Sequence, residues 1–228
     1  MKKNIINLTY FFFFFFFFFS LCQIFSSQTK NKIKDIHTII RTRRSIRKFK
    51  QIEIDIKLLR QIVSDGSLAP SAGNKQPWEF IVVTNKEKRK KVFENIYWLP
   101  QAGRPKLSQQ PTAYIIVLGN PKVSESYLID CAAACENILL SAWGYGIGSC
   151  WIGAINKNEI YKIFEIPKEL EIVAVIALGY PDELPTLEYI KHNKSSPTPY
   201  KKDNILVIPK YHIDNILHID RYNKKLNY

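Results

Sequence analysis

Arg43-Arg44-Ser45-Ile46-Arg47 is followed, 23 residues beyond Arg47, by Pro70-Ser71-Ala72-Gly73-Asn74-Lys75-Gln76-Pro77-Trp78. The first stretch sets three guanidinium groups and a hydroxyl within five residues. Planar forked donors at that density can neutralise and grip a dianionic phosphate. The second stretch is a polar loop that runs directly into the apolar Phe80-Ile81-Val82-Val83. Asn74 can donate and accept at once, matching the alternating carbonyl and N–H edge of a pyrimidine-like ring. Gly73 lets backbone amides come close to a ligand. Each stretch has a plainer reading by itself: a basic helix end favoured by the C-terminal dipole, and a turn built from Pro, Gly and Asn. Together they describe a nucleotide-like cofactor held at both ends.

The pattern around these stretches is mixed. Ile33, Ile36, Ile39 and Ile40 at helical spacing predict a helix that delivers the chain to Arg43. Asp55 is the expected N-cap of a second helix carrying Ile56, Leu59, Ile62 and Val63, with a left-handed glycine stop near Gly66. Residues 80–83 read as a buried strand, 86–97 as a helix, 99–111 as a surface excursion or lid, and 113–118 as a second buried strand. The longest helix is expected over 124–144, with Leu128, Cys131, Ala132, Cys135, Ile138, Leu139 and Ala142 on its apolar face. A strand at 149–152, a helix capped by Asn156 and running to Phe164, and a strand at 172–178 ended by Gly179-Tyr180-Pro181 follow. Residues 185–202 read as a polar, Pro-rich linker or arm, 205–208 as a last strand and 213–222 as a last helix. Strands and helices do not alternate strictly, so the class is α+β and a doubly wound nucleotide fold is a poor match.

Length and composition narrow the classes further. The 228 residues suffice for one domain with a substantial core. Residues 1–27 stand apart: Lys2 and Lys3, then an almost wholly apolar run with nine consecutive Phe, then a more polar exit. That order suits a secretory signal, and residues 8–25 are also long enough for a marginal membrane anchor. Export or membrane attachment is therefore expected if the segment acts, and a cytoplasmic location otherwise; residues 28–228 form the single expected domain. The formal net charge is +13. Its Lys-rich runs read as solvated faces, because the chain has no zinc-finger spacing, RNP-like strand or basic zipper that would make nucleic acid the partner. Cys131, Cys135 and Cys150 leave no disulfide framework, and His37, His192, His212 and His218 are not paired with Cys at ligand spacing.

Three motifs carry a resemblance. R-R-S-I-R-K-F, A-P-S-A-G-N-K-Q-P-W-E-F-I-V-V and D-C-A-A-A-C-E-N-I-L-L-S-A-W-G-Y-G-I-G-S-C-W-I-G are similar to those of the FMN-dependent nitroreductase family, over roughly residues 36–181. The resemblance implies a central mixed or antiparallel sheet flanked by helices, with a core near 33–181 and a C-terminal arm near 185–228. It implies an intimate homodimer with FMN in two interfacial clefts. Arg43, Arg44, Ser45 and Arg47 match the motif for the flavin phosphate and ribityl chain, and Pro70, Ser71 and Asn74 the loop at the ring and ribityl group. Trp151, Ile152 and Gly153 match the strand end behind the ring. Lys210 stands where the family usually supplies a further Arg for the phosphate, keeping the charge but losing the fork.

The activity so implied is transfer of reducing equivalents from NADH or NADPH to a small electron-poor acceptor, a nitroaromatic or quinone, by a ping-pong mechanism. No catalytic triad is needed, since a flavin performs the hydride chemistry itself. Dehalogenating and flavin-cleaving members leave other chemistry open; Glu94, Tyr97 and Lys106 supply the residue types of a dehalogenating lid without its spacing. Trp143 and Trp151 could share an aromatic wall, and Tyr97 and Trp98 open the lid, although packing is the plainer role for Trp143, Tyr97 and Trp98. Asp130, Glu136 and Asn137 receive no catalytic role. The rival of another class is a basic binding module that keeps the fold without turnover.

Overall fold

Alternate residues of the run 113–119 face two different cores. Tyr114, Ile116 and Leu118 belong to one cluster of buried side chains, and Ala113, Ile115 and Val117 to the other. A strand buried on both faces in this way needs helices above and below it. The computed structural model, which describes residues 35–191 and 197–225, supplies them. The signal-like segment 1–27 lies outside those residues. Among the described residues no helix is long and apolar enough to cross a membrane.

The central sheet is antiparallel throughout. β5 (Glu171–Pro181) lies at its middle, pairing with β3 (Ala113–Gly119) on one edge and with β4 (Gly148–Ile152) on the other. β2 (Trp78–Val83) extends the sheet beyond β3, and the two-residue β1 (Phe49–Lys50) pairs with Pro181 and Tyr180 at the end of β5. One face is covered by α2 (Ile56–Ser67) and α4 (Tyr127–Gly144), through Leu59, Ile62, Cys131, Ala134, Cys135 and Ile138. The other is covered by α1 (Ile36–Thr42), α3 (Lys86–Glu94) and α5 (Lys157–Phe164), through Ile39, Val92, Phe93 and Ile160. A second sheet joins β6 (Thr186–Ile190), β8 (Ile205–Tyr211) and β7 (Tyr200–Lys202) in that order, and α6 (Ile213–Ile216) follows it. β6 and β8 run parallel.

Two helix starts, at Asp55 and Asn156, are where the sequence puts them. Asp55 accepts the Lys57 N–H at 2.7 Å, and Asn156 accepts that of Glu159 at 3.5 Å. Several expectations are corrected. Gly66 is no left-handed stop: it is buried inside α2, and a Cβ there would lie 2.5 Å from Ile138 Cγ1. It is glycine because α2 and α4 approach closely at that point. α3 ends at Glu94, three residues early, and α4 starts at Tyr127. Leu128 is 54% exposed and leaves the apolar face assigned to it; its neighbour Ile129 is 75% exposed. The linker read over 185–202 contains β6 and β7, and the helix read over 213–222 stops at Ile216, where Leu217 turns extended.

Gly179 does not end its strand either. β5 continues to Pro181, and a Cβ on Gly179 would sit 2.7 Å from Phe49 Cδ1 and 2.8 Å from Phe49 Cβ. The fully buried Phe49 therefore lies directly over this glycine. Gly179→Ala is expected to overpack the contact and cost about 1–3 kcal/mol. A urea titration that leaves the midpoint unmoved contradicts this packing.

Candidate functional site

The Arg-rich stretch is held as a strand-like edge on β4. Ser45 bridges Ser149, and the Ile46 N–H donates to Ser149 O at 2.9 Å. Ile46 is wholly buried, and a Cβ on Gly148 would meet its side chain at 3.0 Å. With Ile46 packed inward, its flanking residues keep their side chains half-buried at the surface. The stretch is thereby fixed beside Cys150, Trp151 and Ile152.

A residue the sequence reading missed completes the clamp. The Glu183 carboxylate accepts the backbone N–H of Arg47 at 2.6 Å and of Lys48 at 3.2 Å. Asp182 adds an N–H to Lys48 O at 2.9 Å. No local signal marks Glu183, because its partners lie more than a hundred residues away. Glu183→Ala is expected to lower stability by about 1.5–3 kcal/mol, the worth of hydrogen bonds to a charged group. Glu183→Gln keeps an acceptor oxygen and should lose less; equal losses in denaturant would show that the carboxylate does not hold this backbone.

The electrostatics leave cations in excess. Arg43 Nε lies 3.8 Å from Glu136 Oε1, a loose pair. Arg44 donates to Arg43 O and Arg47 to Ser45 O at 3.4 Å; among the described residues neither has a carboxylate partner. Burial, reinforced by Arg43, holds the Arg44 guanidinium below its ordinary range, with Tyr189 acting in the opposite sense. A desolvated cation without a counter-charge favours an anion beside it. Cys150 is a different case. Burial pushes its thiol up, against the opposing pull of Arg47 and a hydrogen bond with Ser45, so it stays a thiol rather than a nucleophilic thiolate.

Arg47, Trp98, Pro100, Cys150, Trp151 and Ile152 are among the residues lining a cleft of about 450 Å³. Gly153 lines it as well, and Trp151 is 37% exposed. The far rim comes from the segment after α3, tied down by Tyr97 N–H to Ala154 O at 2.9 Å and by the Ile96–Ile155 bridge. The structure thus brings Arg47 and residues 151–153 together, with Arg44 and Ser45 beside them. Lys210 is exposed on β8, opposite Tyr189 of β6, whose ring acts on Arg44. Of the dehalogenating lid set, Tyr97 lines this cleft, whereas Glu94 lines a separate cavity.

Pro70, Ser71 and Asn74 do not line that cleft. Their loop docks at the start of α4: the Ala72 N–H donates to Asp130 Oδ1 and Ser124 Oγ to Asp130 Oδ2, both at 2.9 Å. The Arg stretch meets α4 later, at Glu136 and, through Thr42, at Trp143. At ~1.5 Å per residue these anchors lie about 9 and 20 Å along the axis from Asp130. Within the loop, Gly73 and Asn74 are left-handed, with φ of 58° and 56°, and Ser71 Oγ accepts the Gln76 N–H at 3.0 Å. This geometry presents exposed Asn74 at a tight turn.

A sequence model of the nitroreductase family matches residues 40–121 and 112–180, which together take in both motifs and β4. The chain belongs to the nitroreductase family. A protein of Archaeoglobus fulgidus provisionally named an NADH dehydrogenase/NAD(P)H nitroreductase is 39% identical over 156 residues, covering 64% of this chain and 84% of the relative. A nitroreductase family protein of Clostridium novyi superposes with a TM-score of 0.57 at 29% identity, over 84% of this chain and 97% of its own. An FMN-dependent nitroreductase of Clostridium difficile gives a TM-score of 0.57 at 28% identity, over 64% and 88%. This nitroreductase-family chain is an oxidoreductase of α+β class with an antiparallel sheet between helices.

Proposed function

We propose that the chain is an FMN-dependent NAD(P)H oxidoreductase, acting as a homodimer on a small electron-poor acceptor such as a nitroaromatic or quinone by a ping-pong mechanism. The observation that carries this reading is the pair of guanidinium groups, Arg44 and Arg47, which among the described residues lack carboxylate partners beside the exposed Trp151. The residues fit FMN by their donor chemistry: forked cations and the Ser45 hydroxyl for a phosphate, an aromatic and aliphatic strand end for a flat ring. FMN supplies the hydride chemistry when bound. The protein contributes binding and tuning. Arg43, Arg44, Ser45 and Arg47 neutralise the phosphate, Lys210 adds a point charge, and Trp151, Ile152 and Gly153 back the ring. Trp98 and Pro100 wall the cleft against water, while its open mouth admits donor and acceptor in turn, as alternation in one place requires.

The separation of the loop from the Arg stretch along α4 supports the dimer. Pro70, Ser71 and Asn74 complete a cleft only if a second copy offers them, and α4 presents the exposed Leu128 and Ile129 for such a contact. Apolar side chains at that exposure suit burial between subunits better than solvent. The test is to release the cofactor from purified protein, identify it by mass, and follow the flavin absorbance under NADH or NADPH without oxygen. FMN with bleaching by either donor is expected. Colourless protein that takes up no FMN contradicts the proposal.

A further inference from the structure

A second cavity of about 440 Å³ opens between α3, residues 51–53 and the far half of the 99–111 excursion. We propose that it binds a small oxyanion, a carboxylate or phosphate group, between Arg104 and Arg89. Arg104 stacks its guanidinium 4.6 Å from the centre of the Phe93 ring, and among the described residues it has no carboxylate within ion-pair distance. A stacked guanidinium is pre-organised and keeps its forked donors free. Arg89 spends one nitrogen on Thr112 O at 2.7 Å and another on Glu53 Oε1 at 2.8 Å, leaving Nε buried without an acceptor. Thr112 Oγ1 and the Tyr114 hydroxyl are likewise buried and unpartnered. Thr112, just ahead of β3, is tied to Arg89 through its carbonyl, and Tyr114 of β3 packs in the same buried cluster as Phe93. Neither lines the cavity itself, but with Arg89 Nε they put three orphaned groups in one neighbourhood behind its wall.

Orphaned donors of this kind are costly unless an acceptor reaches them. Burial raises the Tyr114 phenol above its ordinary range and Arg89 and Arg104 oppose the shift, which places both cations near that hydroxyl. Lys86 and Lys90 also line the cavity. Of its carboxylates, Glu53 is engaged by Arg89, while Glu87 and Glu94 occupy exposed positions on α3. The balance favours an acceptor-rich ligand over a cation.

The site would act on the first cleft through their shared wall. Phe93, under Arg104, packs against Trp98 with ring centres 5.5 Å apart, and Trp98 lines the flavin cleft. Leu99 and Pro100 line that cleft too, while Leu107 and Gln110 of the same excursion line this cavity. An anion on Arg104 therefore braces the excursion from behind.

The anion has two sources, free in solution or pendant as the phosphomonoester of a dinucleotide donor. Calorimetric titrations at fixed ionic strength should compare inorganic phosphate with adenosine 2′,5′-bisphosphate. They should be run on the purified protein, Arg44→Ala and Arg104→Ala. Saturable binding is expected that Arg44→Ala leaves in place and Arg104→Ala weakens about tenfold or more. Tighter binding of the bisphosphate, with a KM for NADPH but not NADH that rises in Arg104→Ala, assigns the anion to the donor. Equal binding with both KM values unmoved assigns it to free anion. Binding that Arg104→Ala leaves intact, or none up to roughly 20 mM of either ligand, overturns the proposal whatever cofactor the protein carries.

Discussion

Arg44→Ala should weaken FMN binding roughly ten- to hundredfold, the equivalent of one charge-assisted phosphate contact at about 1.5–3 kcal/mol. The expectation rests on three facts about this side chain. It is half-buried beside Arg43, its guanidinium donates, among the described residues, to the Arg43 carbonyl alone, and burial already disfavours its charge. A phosphate dianion relieves all three. Riboflavin, which lacks the phosphate, should bind the native and variant proteins equally, separating loss of the anion contact from general damage. A titration in which FMN affinity is unchanged, or in which riboflavin suffers as much as FMN, contradicts the assignment.

Asp130→Ala should be the most destabilising single change near the loop, at about 2–4 kcal/mol. Asp130 is 4% exposed and its carboxylate accepts both the Ala72 N–H and the hydroxyl of buried Ser124, so truncation removes the acceptor of two donors at once, one of them buried. The loop that carries Asn74 would lose its tether to α4. Denaturant midpoints should fall for Ala and fall less for Asn, which keeps one acceptor oxygen. Amide exchange at Ala72 should quicken in both. If exchange there is unchanged, the loop is held by something else.

Much of the fold could be read locally, because local physics fixes it. Asp55 and Asn156 cap helices since their side chains reach N–H groups within three residues, and the continuous apolar runs at 113–118 and 172–178 announce buried strands. The misreadings share one cause. Gly66 and Gly179 look like stops, yet each is small because a distant side chain, Ile138 or Phe49, lies against it. β6 and β7 expose most of their residues and show no alternation, so Thr186–Ile190 and Tyr200–Lys202 read as linker. The helix expected to reach Tyr222 fails because Ile213, Ile216 and Leu217 stay exposed and no buried face extends it.

The candidate site divides in the same way. The cationic stretch was legible as charge density, and Trp151 to Gly153 through the motif they end. Glu183 was not, because its role is to accept two backbone N–H groups from a segment far away in sequence. Nor did spacing reveal that residues 70–77 anchor at one end of α4 and the Arg stretch towards the other. Asp130, left without a catalytic role, turns out to be what fastens the loop.

The most direct test of the account is complementation between two defective chains. Arg44→Ala and Asn74→Ala proteins, each weakened for FMN, would be differently tagged, mixed under dissociating conditions, and the hybrid dimer isolated. If the cationic grip and the loop of each cleft come from different subunits, every hybrid carries one cleft with both native residues. FMN should then bind at native affinity to one site per hybrid. A hybrid whose sites both stay as weak as the parents contradicts a cleft shared between two copies of this chain.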